Sequence, residues 1–428
     1  MKNIKYPDKK KWSKLIQRPT VAQKDLSALV NSIFNEVQKN GDKAILKYNL
    51  LFDKSTAKSF IVSEDAVKNA RQEVSKPLQQ AIKTAKRNIE KFHSSQKEPK
   101  KEIETTKGVL CWRENRPIEK VGIYIPGGTA PLFSTVLMLG IPAKIAGCKE
   151  VVMCTPPDKS GKIHPAILFA ADLVGITKIY AVGGIQAIGA MTFGTKTIPK
   201  VDKLFGPGNQ YVTAAKNEAQ NFGVSIDMPA GPSEVLIIAD SSCKPEFVAA
   251  DLLSQAEHGA DSQVILLSNE ETVVEEVLKE VDKQIQFLPR QTIAAQALKN
   301  SRAVTLSSIN DCILFSNEYA PEHLILAVEN YRKVIAQVSN AGSVFLGNYS
   351  CESAGDYASG TNHTLPTNGF ARNYSGVSLD SFCKKISFQE ITVKGIENIG
   401  KTVELMAEAE RLLAHKNAVS IRLKSLKK

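Results

Sequence analysis

The stretch VGIYIPGG at residues 121–128 decides the fold: five apolar or small residues suited to a strand, closed by a Pro-Gly-Gly turn. The same texture repeats downstream as EVVMCTPP (150–157), HPAILFAADLVG (164–175), KIYAVGG (178–184) and IQAIGAMTFG (185–194). Apolar strands alternating with apolar helices are the pattern of a parallel sheet covered on both faces. Ligands of such sheets gather at the carboxyl ends of the strands, where PGG (126–128), GG (183–184) and GPGN (206–209) fall. A dinucleotide could dock on these turns, although glycines at strand ends also serve as plain turn residues. The usual GxGxxG fingerprint is absent, since Gly206-Pro207-Gly208-Asn209-Gln210-Tyr211 lacks the third glycine and does not follow the first strand.

Outward from this unit, a second α/β stretch starts at SEVLIIAD (233–240). It continues through a helix at 245–258 and the strand QVILLS (263–268), and runs to SVFLG (343–347). The expected fold is α/β: two Rossmann-like doubly wound units, one inserted in the other, with an N-terminal arm (1–20) and a C-terminal helical tail (379–428). One unit is discontinuous (21–119 and 233–378), and the inserted unit spans 120–232. Within 21–53, Leu26, Leu29, Val30, Ile33 and Val37 share one helical face and Gly41 is placed to end the helix. Residues 60–105 read as charged amphipathic helix through Ala70, Val74, Leu78, Ile82 and Ile89.

The chain has 428 residues, 43% of them hydrophobic, which is ordinary for a globular protein of two or three domains. A net charge of +11 raises the question of nucleic acid. Much of the excess lies at the ends, where Lys2, Lys5, Lys9, Lys10, Lys11, Lys14 and Arg18 face only Asp8 and no acid follows Glu410, so solvated ends explain it. Cysteines at 111, 148, 154, 243, 312, 351 and 383 form no CxxC pair, which suits a reducing compartment. No apolar run approaches the ~20 residues a bilayer needs, and the N-terminus carries no signal-like stretch, so a cytoplasmic protein without membrane or nucleic-acid partners is expected.

Four of the six histidines (His258, His323, His363 and His415) lie in the C-terminal part beside polar partners. Gln255 and His258, three apart on a helix, share a face and could reach one ion, or could simply form a helix-end pair. Glu322 and His323 adjoin behind Pro321; an imidazole can take a proton from an alcohol and a carboxylate can activate water, yet EH also suits an ordinary strand start. Asp356 and His363 occupy a Gly/Ser/Thr-rich loop able to bend round a ligand. Glu410 and His415 are five apart, about 140° round a helix, and meet only if the helix ends between them. Gln255, His258, Asp356 and His415 together form a nitrogen and oxygen donor set suited to an open zinc site and not to a closed cysteine one.

In their order and spacing, GIYIPGG (122–128), VDKLFGPGNQYVTAAK (201–216), DMPAGPSEVLIIAD (227–240), LLSQAEHGADSQVILL (252–267), APEHLIL (320–326), AGSVFLG (341–347), ESAGDYASGTNHTLPT (352–367) and AERLLAHKNAVSIR (409–422) resemble the histidinol dehydrogenase family. The resemblance implies oxidation of L-histidinol to L-histidine with two NAD, as the last steps of histidine biosynthesis. It implies zinc, one per subunit, on Gln255, His258, Asp356 and His415, with His415 of the partner subunit of a homodimer reaching the metal. Glu322 and His323 match the acid/base pair. Ser233, Gln255, His258, His323, Asp356, His363, Glu410 and His415 match substrate positions, and Tyr124, Gln186 and Asn209 match NAD contacts. Phe370, Ala371 and Arg372 sit in a segment to which no contact is assigned. A zinc and NAD alcohol dehydrogenase acting on another small alcohol, a zinc hydrolase and a basic nucleic-acid binder are the competing readings. The first shares the fold and cofactors, the second has no use for the glycine turns, and the third has no use for a metal.

Overall fold

The structure, a computed structural model, describes residues 1–19, 26–127, 130–229 and 231–426. Gly128 of the PGG turn, residues 21–25 of the first helical stretch, and Lys427 and Lys428 of the basic tail lie outside the described residues. Among the described residues fourteen strands run in chain order: β1 Lys2–Lys5, β2 Glu102–Thr106, β3 Val109–Pro117, β4 Lys120–Tyr124, β5 Glu150–Thr155, β6 Lys178–Ala181, β7 Lys203–Phe205, β8 Ser225–Ile226, β9 Glu234–Ala239, β10 Gln263–Ser268, β11 Arg302–Thr305, β12 His323–Ala327, β13 Ser343–Leu346 and β14 Cys383–Ile391.

They form three sheets. A five-stranded parallel sheet has the order β6-β5-β4-β7-β8, so strand order reverses between β4 and β7. A six-stranded parallel sheet has the order β1-β11-β10-β9-β12-β13 and reverses between β9 and β12. Both are doubly wound, as the alternating pattern predicts. The central strands β9, β10 and β12 read as nearly unbroken apolar runs because both faces are covered, whereas the edge strand β1 is polar and largely exposed. On β9, Val235 and Ile237 enter one core while Leu236 and Ile238 enter the core on the other face. Burying each such side chain contributes about 1.5–3 kcal/mol. The helix Phe133–Ala146 is apolar all round and accordingly buried over most of its length.

The N-terminal arm is docked: β1 pairs with β11 as a sheet edge, and Lys5 and Lys9 reach Glu271, Glu275 and Asp311. Two expectations are corrected. The stretch 60–105 is not one helix. It divides into Glu64–Glu73 and Lys76–Ser94, separated where Ser75 caps the second helix, and ends in strand β2. The tail is not wholly helical, because β14 pairs antiparallel with β3 in a three-stranded sheet before the helices Val393–Ala409 and Leu413–Ser425. For β1 and β14 pairing with a distant segment outweighs the local pattern, whereas the split at Ser75 is a local cap.

The helix Ser27–Asn40 ends at Gly41, with φ +51°, as its spacing predicts. Its buried face (Val30, Ile33, Phe34, Val37), together with Ile82 and Ile89 of the later helix, packs into the core of the five-stranded sheet, whereas the sequence pattern groups 21–119 with the six-stranded unit. No helix among the described residues is long and apolar enough to cross a membrane.

Candidate active site

The loops at the carboxyl edge of the five-stranded sheet converge on Pro156. A Cβ on Gly127 would lie 2.7 Å from its ring and one on Gly183 2.6 Å from it, so only glycine allows these turns to close. Gly206, with φ +125°, sits against the Tyr124 carbonyl. Its turn is pinned from below by a buried ion pair. Lys216 donates to the Gly206 carbonyl at 2.8 Å and to the Asp227 carboxylate, which accepts from the Gly206 N–H at 2.8 Å. Tyr124 ends β4, and its hydroxyl accepts from the Gly184 N–H at 3.1 Å, leaving its proton to donate. Gln186, fully buried in the first turn of the helix Gly184–Phe193, has neither amide atom hydrogen-bonded. A buried amide with both ends unused costs free energy unless a ligand engages it, which suits a dinucleotide on this edge. Asn209 caps the helix Gln210–Ala219 through its side-chain oxygen and is exposed.

The titratable groups lie elsewhere, at the amino edge of the six-stranded sheet. β9 opens on Glu234 and β12 on His323, paired side by side in register, with Val235 opposite His323. The Glu234 main chain holds both Glu322 and His323. Its N–H donates to Glu322 Oε2 at 2.9 Å, and its carbonyl lies 3.0 Å from His323 Nδ1. A carbonyl only accepts, so Nδ1 carries a proton and donates. The remaining ring nitrogen, Nε2, is buried, lacks a hydrogen-bond partner and stands 3.7 Å from Asp356 Oδ1. Burial pushes the Glu322 carboxyl up to about 7, against the opposing pull of His323. Burial also opposes a charge on His323, but Glu352, Glu322 and Asp356 together outweigh it and raise this imidazole well above its ordinary range.

Asp356 and Glu352 are one turn apart on the helix Glu352–Tyr357 and share a face. With His258, just past the end of the helix Pro245–Ala256, they offer ligand atoms all within 4.8 Å of one another. The Gln255 side-chain amide lies between the Glu352 carboxylate and the Glu234 N–H. Burial lifts Glu352 to about 8, while His323 holds Asp356 below its ordinary value despite burial. Three carboxylates (Glu322, Glu352 and Asp356) thus surround two imidazoles with no lysine or arginine paired to them among the described residues, a charge balance that fits a cation.

His363 bridges the two edges. Its Nδ1 donates to the Asp356 carbonyl at 2.9 Å and its Nε2 accepts from the Thr135 hydroxyl at 3.1 Å, a neutral tautomer favoured by burial. Thr135 is near the start of the helix following β4, so Thr135, His363, Asp356 and His323 step from the carboxyl edge of one sheet to the amino edge of the other.

A profile of the histidinol dehydrogenase family matches residues 16–423. The chain belongs to the histidinol dehydrogenase family. A histidinol dehydrogenase of Bacteroides thetaiotaomicron is 57% identical over 427 residues, covering 100% of both chains. One from Escherichia coli is 50% identical and covers 96% of this chain and 95% of the relative. The crystal structure of histidinol dehydrogenase from Elizabethkingia anophelis matches with a TM-score of 0.99 at 64% identity, covering 100% of this chain and 99% of that one.

Against the residues expected from the resemblance to histidinol dehydrogenases, the structure brings Gln255, His258, Glu322, His323, Asp356 and His363 together, with Ser233 immediately before Glu234. Glu410 and His415 are not among them. The helix ends at Ala409, Arg411 adopts φ +59°, and both side chains are exposed on the C-terminal hairpin. The segment of Phe370, Ala371 and Arg372 is a short turn in which Arg372 donates to the Glu318 carbonyl. Sequence reasoning missed Glu352, Glu234 and Thr135. Two signals were available: a glutamate four residues before Asp356, and a carboxylate opening an otherwise apolar strand.

Proposed function

We propose that the chain oxidises L-histidinol through L-histidinaldehyde to L-histidine with two NAD. The observation that supports this most is the buried His323, whose Nδ1–H is committed to the Glu234 carbonyl and whose Nε2 is free beside the His258, Glu352 and Asp356 cluster. Gln255, His258 and Asp356 would hold zinc with the partner subunit's His415, and Tyr124, Gln186 and Asn209 would contact NAD. When bound, zinc supplies a Lewis-acid anchor for the imidazole and amino nitrogens of the substrate, and NAD supplies the hydride acceptor.

The residues of the chain divide the remaining work. With a bound cation offsetting the carboxylates of Glu352, Glu322 and Asp356 that otherwise keep His323 protonated, its Nε2 would take the hydroxyl proton as hydride leaves the carbinol carbon. Glu322, poised near neutrality, takes a proton from water as its oxygen adds to the aldehyde. Loss of a second hydride from that hydrate gives the acid, so one water is consumed and two NADH form. Ser233 and His363 would line the substrate, with Glu410 supplied, like His415, by the C-terminal hairpin of the partner subunit. His363 also fixes Asp356 through its main chain.

The shared site requires a homodimer. Supporting it, the C-terminal hairpin that carries Glu410 and His415 exposes Leu405, Met406, Leu412 and Leu413. Mixing His258→Asn and His415→Asn subunits, each inactive alone, should restore activity in hybrids if ligands cross between subunits. The principal test is to supply limiting L-histidinol and excess NAD and count NADH. Two per histidinol, with histidine as product, supports the reading. One per histidinol removes the role given to Glu322, and none removes the substrate assignment.

A further inference from the structure

We propose that Arg18 is a positioning residue for the Glu322 and His323 pair, acting through Glu234; this rests on the acid/base roles proposed above. The guanidinium grips the Glu234 carboxylate with two nitrogens, Nε to Oε1 and Nη2 to Oε2 at 2.9 Å. Nη2 also donates to the Tyr319 carbonyl at 2.8 Å and the Ala320 carbonyl at 3.3 Å, and the plane lies 4.0 Å over the Tyr319 ring. Tyr319 is itself fixed, fully buried with its hydroxyl 2.9 Å from Gln263 Oε1.

These contacts fall on the two chain points that set the pair. One is the first residue of β9, whose N–H and carbonyl hold Glu322 and His323. The other is the turn before β12, where Ala320, at φ +53°, occupies the left-handed region that residues with a Cβ avoid, two positions before Glu322. A strained turn keeps its shape only when its surroundings hold it, and Arg18 bonds its carbonyl directly. Glu234 Oε1 also accepts from the Asn368 N–H at 3.0 Å, so the loop that carries His363 is tied to the same carboxylate. Arg18 touches no reacting atom. It couples the segment after β1 to the spacing between β9 and β12, and only a planar fork matches a carboxylate and two carbonyls at once.

A buried ion pair also supports folding, so the test must separate placement from stability. Arg18→Lys keeps the charge and loses the fork. It should lower kcat for histidinol oxidation roughly 10–100-fold, the scale of a small misplacement of catalytic groups. The NAD dissociation constant, measured by calorimetry, should stay within about twofold, because none of the contacts made by Arg18 reaches the glycine turns. Arg18→Met with Glu234→Gln removes both charges and should melt higher than Arg18→Met alone while kcat stays low. Recovery of kcat together with melting temperature, or an Arg18→Lys enzyme at full kcat, would overturn the positioning role. If the unaltered protein forms no NADH from histidinol, the acid/base reading fails and this inference with it.

Discussion

The two doubly wound sheets present opposite edges to the site. The carboxyl edge of the five-stranded sheet is built from Gly127, Gly183 and Gly206, whose turns close because they lack side chains, with the uncharged Tyr124, Gln186 and Asn209 among them. The amino edge of the six-stranded sheet is built from Glu234, Glu322 and His323, and its polar groups are held by main chain. At the opposite, carboxyl edge of that same sheet, where strand order also reverses, the Asp240 carboxylate is taken up by Ser242 and by the Glu329 N–H at 3.1 Å. An open glycine edge lets a ligand approach backbone closely. The first residues of buried strands instead give titratable side chains fixed donors and acceptors. On the roles proposed above, one fold used at opposite ends would separate binding from proton transfer.

The largest effect should come from the amino edge. Glu322→Gln keeps an acceptor for the Glu234 N–H and removes the base, so histidine formation should fall about 10²–10⁴-fold, measured as product from histidinaldehyde. A fall below threefold would mean proton transfer lies elsewhere. Next, Lys216→Met breaks the support beneath the carboxyl edge. Lys216 and Asp227 side chains are only 3% and 1% exposed, so an unpaired Asp227 should cost about 3–5 kcal/mol in denaturant unfolding, and Lys216→Met with Asp227→Asn, which removes the lone charge and keeps an acceptor for the Gly206 N–H, should recover part of it. Gln186→Leu should behave in the reverse way. Neither amide atom is satisfied in the free protein, so folding stability should hold or rise, while NAD affinity drops by about 1–2 kcal/mol. Smallest is Thr135→Val, which removes the hydroxyl bonded to His363 and should cost about 1 kcal/mol in kcat/KM.

The carboxyl edge was legible in the sequence because apolar runs closed by glycine turns specify parallel strands by local rules. Glu322, His323, Gln255, His258 and Asp356 could be singled out because polar residues beside apolar runs or at helical spacing are rare enough to notice. Glu234 and Arg18 could not, since their meaning lies in contacts between residues 216 positions apart. Strands β1 and β14 were missed for the same reason: their partners, not their composition, make them strands, whereas β2 pairs with its neighbour β3 and is hidden by a polar, exposed composition. The break between Glu410 and His415 rests on a single residue, Arg411, in a conformation that sequence rarely announces.

The separation of binding from proton transfer is tested most directly by His323→Asn, with turnover and the NAD dissociation constant measured on the same preparation. The asparagine amide can still donate to the Glu234 carbonyl but offers no proton acceptor at the position of Nε2. Turnover should fall at least about 100-fold with NAD affinity unchanged. Turnover that survives, or NAD affinity lost in parallel, would contradict it.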